Sequence, residues 1–149
     1  MFEEQVDRIF ITVDFFSSGF CDGAPFLSEE IISKTPDALR LKISDHEWTC
    51  AMRHIQTVTM NEIPSMCSKI TLCMCYGLPG LLCLSSSYNS ATRRINEAIR
   101  QVNLRVFEPK DLFIALKNSQ IDCYTSSNVL VIALNSTESK LLKAETHYL

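Results

Sequence analysis

Glycine is scarce in this chain of 149 residues: Gly19, Gly23, Gly77 and Gly80 are all that it has. No glycine-rich loop can therefore cradle the phosphates of a nucleotide or dinucleotide, and no Gly-Lys-Ser/Thr run follows an apolar segment. Also missing are His-Glu-x-x-His, Gly-x-Ser-x-Gly, and a His-x-Glu paired with Cys-x-x-Cys. Those are the spacings by which zinc hydrolases, serine hydrolases and zinc deaminases hold their reacting groups. The common nucleotide-dependent and hydrolytic designs are thereby excluded, no catalytic residue is assigned, and no cofactor is expected.

Long apolar runs are lacking as well. The longest nearly uncharged stretch, Ile70 to Leu84, is broken by Gly77, Pro79 and Gly80 and is too short to span a bilayer. The first residues, Met1 and Phe2, are followed by Glu3, Glu4 and Asp7, whereas a secretory signal needs a basic start and then an apolar run. Neither membrane insertion nor export is expected. Seven cysteines form an odd set, most of them inside apolar runs where a free thiol behaves as a small hydrophobe. They read as reduced thiols of a cytoplasmic or nuclear protein, in which the Asn135-Ser136-Thr137 triplet would not meet the glycosylation machinery.

What is present is a globular balance. Hydrophobic residues make up 46% and charged residues 21%, enough apolar material to fill a core and far from the composition of disordered chains. With no repeat, low-complexity tract or linker, residues 1–149 read as one domain of common size. The net charge of −3 hides an asymmetry: the first fifty residues hold ten acids and four bases, the remainder seven acids and ten bases. Such a chain can carry a bipolar surface that favours steered or head-to-tail association.

Periodicity predicts an α+β fold. Alternation marks a strand over Arg8 to Phe15, and Ser17 to Pro25 has loop composition. Ser28 with Glu29 and Glu30 opens a short helix, and Leu39, Leu41 and Ile43 alternate as a second strand over Ala38 to Ser44. Ser44 and Glu47 form a capping box for a helix from Asp45 to about Gln56, with a long strand over residues 45–60 as the alternative. Lys69 to Tyr76 and Leu81 to Ser86 flank Gly77, Leu78, Pro79 and Gly80, where Pro followed by Gly suits a type II turn, and predict a hairpin. The clearest helix runs from Ser90 to Gln101, with Ile95 and Ile99 expected against a sheet containing Ile70, Leu72 and Met74.

Leu104 to Phe107 reads as a short strand and Pro109 to Asn118 as a helix. Ile121 to Thr125 and Val129 to Leu134 make a second hairpin around Ser126, Ser127 and Asn128, and Ser136 caps a last helix with Leu141 and Leu142. The expected architecture is a mainly antiparallel sheet built from hairpins, with helices packed on one face.

Three side-chain groups carry chemical interest. His46, Cys50 and His54 recur at i, i+4 and i+8, so a helix would line them on one stripe as zinc donors or as a thiolate with an activating imidazole. The missing second ligand pair argues against metal. Cys73 and Cys75, alternating in a strand, would share one face and could take a soft metal, although small core residues are the plainer reading. Arg93, Arg94, Arg100 and Arg105, with Lys110 beyond, make a cationic region beside Tyr88 and Phe107, two rings able to stack on bases. A sequence pI near 5.6 is low for a nucleic-acid module, and a charged outer face belongs to any amphipathic helix.

The expectation that follows is a non-catalytic protein-interaction or assembly domain, such as one subunit of a homo- or hetero-oligomer. Its interaction face would be Arg93, Arg94, Arg100 and Arg105. Nucleic-acid binding through Arg93 to Lys110 is the alternative, and a zinc or cysteine enzyme around His46, Cys50 and His54 the second alternative.

Overall fold

The computed structural model describes residues 2–5, 7–13, 27–76, 90, 92–122 and 125–146, with side chains outside 2–5, 62–76 and 118–128. Among the described residues four strands form one antiparallel sheet: β1 (Phe2–Gln5), β2 (Arg8–Val13), β3 (Phe113–Asp122) and β4 (Thr125–Ala133), in the order β1-β2-β4-β3. The helices described beside it are α1 (Glu29–Ser33), α2 (Asp45–Tyr76), α3 (residues 92–102) and α4 (Ser136–Thr146). The α+β class and the antiparallel, hairpin-built sheet are as the sequence predicts.

The register explains the core. Ile9 faces Ile132, Ile11 faces Leu130 and Ile114 also faces Ile132, so one side of three adjacent strands is a continuous isoleucine and leucine surface. Ile31, Ile32, Trp48, Met52, Ile55, Ile95, Ile99 and Val102 from α1, α2 and α3 fill that side. The next residues along each strand point the other way: Phe10 beside Val131, and Val131 beside Ala115. Leu142 of α4 packs there, so helices lie mostly, but not solely, on one face. Because both faces are covered there, residues 113–116 of β3 and 129–133 of β4 lack the polar alternation of a half-solvated strand.

Several local expectations are corrected. Ala38 to Ser44 is not a strand: Asp37–Leu39 is a 3-10 turn, and Ile43 N–H donates to Leu39 O at 2.8 Å. Leu39 and Ile43 thus share a helical turn and are buried, whereas Leu41 is left 99% exposed. Lys69 to Tyr76 is the end of α2 rather than a strand, and the helix passes through Pro64. An apolar run without alternation does not distinguish a buried strand from a helix, and a proline removes one helical hydrogen bond without necessarily ending the helix. Leu81 to Ser86 and Ser17 to Pro25 lie outside the described residues.

Leu104 to Phe107 belongs to a π-helical turn, Asn103–Phe107, that continues directly from α3. Wider spacing brings Asn103 and Phe107 to the same side, and both are buried. Pro109 begins no α-helix: it lies in the 3-10 turn Glu108–Lys110, which Asp111 ends in a left-handed conformation at φ 58°. An aspartate tolerates that region better than a branched residue, and the reversal feeds the chain into β3. Lastly, Ser126, Ser127 and Asn128 do not form the turn but pair within β4, opposite Gln120, Ser119 and Asn118.

The cap at the start of α2 is as the sequence predicts. The Ser44 N–H donates to Glu47 Oε2 at 3.0 Å and the Glu47 N–H donates back to Ser44 Oγ at 3.3 Å. Lys110 Nζ reaches the same carboxylate at 2.6 Å, joining the 3-10 turn after α3 to the start of α2. The Lys110 hydrogen bond, followed by those from Ser44, lowers the Glu47 pKa to about 2. A depressed carboxyl pKa contributes stability above its unfolded value, which is lost as pH falls through the folded one. We expect the Glu47 side-chain carbon, followed by NMR, to titrate near pH 2 and to move toward the ordinary carboxylate range in Lys110→Met. An ordinary titration in the wild type would show that neither the cap nor the ion pair persists in solution.

Candidate functional site

Helix α3 is divided sharply between core and solvent. Ile95, Ala98, Ile99 and Val102 are buried, while Arg93, Arg94 and Arg100 are exposed on its other side. The sheet that receives Ile95 and Ile99 is the one formed by β2, β4 and β3; Ile70, Leu72 and Met74 belong to α2 instead. The sequence signal for this helix, an i, i+3, i+4, i+7 apolar stripe, is therefore sound although its assumed partner strand is not.

The four arginines differ in state. Arg100 is clamped by Glu97 one turn away, its Nε and Nη2 donating to the carboxylate at 2.9 and 2.7 Å. The hydrogen bonds to this acid raise the Arg100 pKa and lower that of Glu97, so the pair contributes little net charge to the surface. Lys110 is engaged with Glu47. Arg93, Arg94 and Arg105 are the other exposed cations of this region. Arg93 and Arg105 are twelve residues apart in sequence, and at the α-helical rise they are separated by roughly 18 Å along the axis.

Sequence reasoning missed Leu104, which is 52% exposed beside Arg105 on the π turn. Its apolar neighbours Val106 and Phe107 made the segment look like a strand, and nothing in the residue pattern announces a π turn. The turn is held firmly from beneath. Phe107 is fully buried, and Asn103 Nδ2 donates to Ile114 O at 2.8 Å while Ile114 N–H donates to Asn103 Oδ1 at 2.8 Å. Asn103 thereby satisfies both outward backbone groups of one residue on β3, an edge strand that would otherwise present them unpaired. A rigid turn displaying one leucine and one arginine results.

The base-stacking expectation fails at Phe107, which has no exposed ring, and Tyr88 lies outside the described residues. At the other candidate, α2 places Cys50 and His46 one turn apart with Sγ and Nε2 separated by 3.7 Å, both exposed. His54 is exposed one turn further on but is not joined to them, and among the described residues no group of three His, Cys, Asp or Glu side chains could hold a metal ion. Nor, among the described residues, does a carboxylate or carbonyl orient the His46 ring, as an activated cysteine requires. Positions 73 and 75 lie on α2, where two residues are about 200° apart around the axis, so the expected shared strand face does not exist.

Comparison with protein families, with curated proteins and with solved structures yields no match to this chain. Among the described residues no helix is long and apolar enough to cross a membrane.

Proposed function

We propose that this chain is a non-catalytic protein-interaction domain that docks an acidic protein surface on the outward side of α3 and the π turn after it. The observation that carries this reading is Leu104 beside Arg105, both exposed on a turn whose Asn103 and Phe107 are locked into the core. Interfaces use such rigidly held apolar anchors with charged residues at their margin, and arginine is enriched among the residues that matter most to binding. Arg93 and Arg94 extend the positive surface along α3. Burial of the Phe107 ring favours an acidic protein over a nucleic acid, because among the described residues phosphate attraction would lack a stacking platform here.

The chain itself offers a suitable acid. Glu30, and Glu29 beside Arg53 at 3.7 Å, stand exposed on α1, within the acidic first third of the sequence, so a second copy could meet the arginines head to tail. Complementary charge chiefly accelerates encounter. In a self-association assay on immobilised protein, reversing Arg93 and Arg105 together to glutamate should slow association by about tenfold at low salt. The deficit should shrink as salt is raised and the Debye length contracts. Thermal melts should be nearly unchanged, because exposed helix charges contribute little to stability. Arg100→Ala should have the smaller effect on association, since Glu97 already occupies that guanidinium. A chain that sediments as a monomer across the concentration series at low salt would overturn the self-association form of this reading.

A further inference from the structure

Helix α4 is attached differently from α3. Where α3 buries Ile95, Ala98, Ile99 and Val102, α4 buries only Leu142, among Ala115, Val131 and Ala133 on the reverse face of the sheet. Around that single contact its attachment is ionic. Arg8 Nε of β2 donates to Glu138 at 2.6 Å and Arg8 Nη2 to Glu145 at 3.1 Å, so one guanidinium spans two carboxylates two turns apart. Lys117 of β3 also binds Glu145, and Lys143 of α4 reaches Glu108 at 3.0 Å while lying 5.8 Å over the Phe113 ring.

We propose that α4 is an electrostatic latch, a helix held across the reverse face of the sheet by ion pairs, which opens as a unit ahead of the main core when those pairs are screened or neutralised. The geometry supports this division. The ion pairs run to three separate elements, β2, β3 and the 3-10 turn, whereas the main core includes no buried residue of α4. Partly exposed pairs are individually weak and sensitive to salt, and segments with few buried apolar contacts open below the global unfolding free energy. Further tethers are at the start of the helix, where Lys42 Nζ also donates to Leu134 O at 2.7 Å. Leu134 N–H donates to Asp7 O, Asn135 Nδ2 donates to Asp7 Oδ1, and Ser139 Oγ donates to Asp111 O. They would hold the hinge while the helix lifts.

Opening uncovers Phe10, Phe113, Val129, Ala115 and Val131, an apolar strip that the latch otherwise shields. Acid should act in the same direction as salt. Hydrogen bonds from Lys117 and then Arg8 lower the Glu145 pKa, so its contribution is present above the ordinary carboxylate range and is lost as pH falls through the depressed value. Glu138 faces Arg8 and Glu108 faces Lys143 in the same set of ion pairs.

Native-state hydrogen exchange on the full chain tests the latch, comparing amides 138–146 with those of β4 at low salt and in about 1 M sodium chloride, where the Debye length is near 3 Å. Exchange in α4 should accelerate about tenfold while residues 130–132 stay protected, with a parallel rise in binding of an apolar fluorescent dye. Arg8→Leu should show fast α4 exchange already at low salt and little further salt response; Arg8→Lys, lacking the planar fork that spans both acids, should fall between. Should Arg8→Leu not fold, the double variant Lys117→Gln with Lys143→Gln makes the same comparison. Salt-independent exchange, or α4 and β4 exchanging together under every condition, would overturn the proposal.

Discussion

Replacing Trp48 by alanine should lower the unfolding free energy by about 3–5 kcal/mol, a large share of what holds an ordinary domain together. Trp48 is fully buried near the start of α2, in the cluster that also contains Ile31, Ile32, Leu39 and Ile43. Its indole does two jobs. The ring joins the short α1 and the 3-10 turn to the long helix, and Nε1–H donates to Ile31 O at 2.9 Å, near the end of α1. Truncation leaves a large cavity and removes the partner of that carbonyl, two losses that act together. Trp48→Phe should lie between, filling most of the volume while leaving the carbonyl without its donor. Chemical denaturation checks both, and a loss below about 1 kcal/mol for the alanine variant would show that α1 does not dock as described.

Legibility in the sequence followed physical type. The Ser44–Glu47 box and the stripe Ile95, Ala98, Ile99, Val102 were readable because capping and 3.6-residue periodicity are local properties. The strand Arg8–Val13 was readable because every second residue is buried. Failures clustered where burial is two-sided or absent. Phe113 to Leu116 is apolar throughout because β3 is covered by α2 and α3 on one side and by α4 on the other, so its pattern fits helix as well as strand. Leu41 completed an apparent alternation with Leu39 and Ile43 although it stands in solvent. At the candidate site, the arginines were legible as a charge cluster, but their pairing was not. Only the fold shows that Glu97 and Glu47 occupy Arg100 and Lys110, and that Leu104 stands outward beside Arg105.

Asn103→Leu should cost about 2–6 kcal/mol, because it strips both hydrogen-bond partners from the buried backbone of Ile114 at once. No water is expected to replace them, since Asn103 is 3% exposed and Ile114 fully buried. The aspartate variant makes a finer test of the same contact. An ionised aspartate in place of Asn103 could still accept from the Ile114 N–H but would set a negative charge against the Ile114 carbonyl, whereas the protonated acid offers one acceptor and one donor and restores both bonds. Burial and that carbonyl should both raise its pKa. A group whose folded pKa is raised contributes stability below its unfolded pKa and loses it as pH rises through the folded one. Asn103→Asp should therefore be close to wild type in mild acid and fall progressively behind it toward neutral pH, with both proteins measured at each pH to cancel effects on the ion pairs elsewhere. Because this clamp fixes the π turn that displays Leu104 and Arg105, the aspartate variant should also weaken the proposed self-association over the same pH interval. A pH-independent difference between the two proteins would mean that Asn103 does not hold the edge of β3, and the rigidity assigned to the turn would go with it.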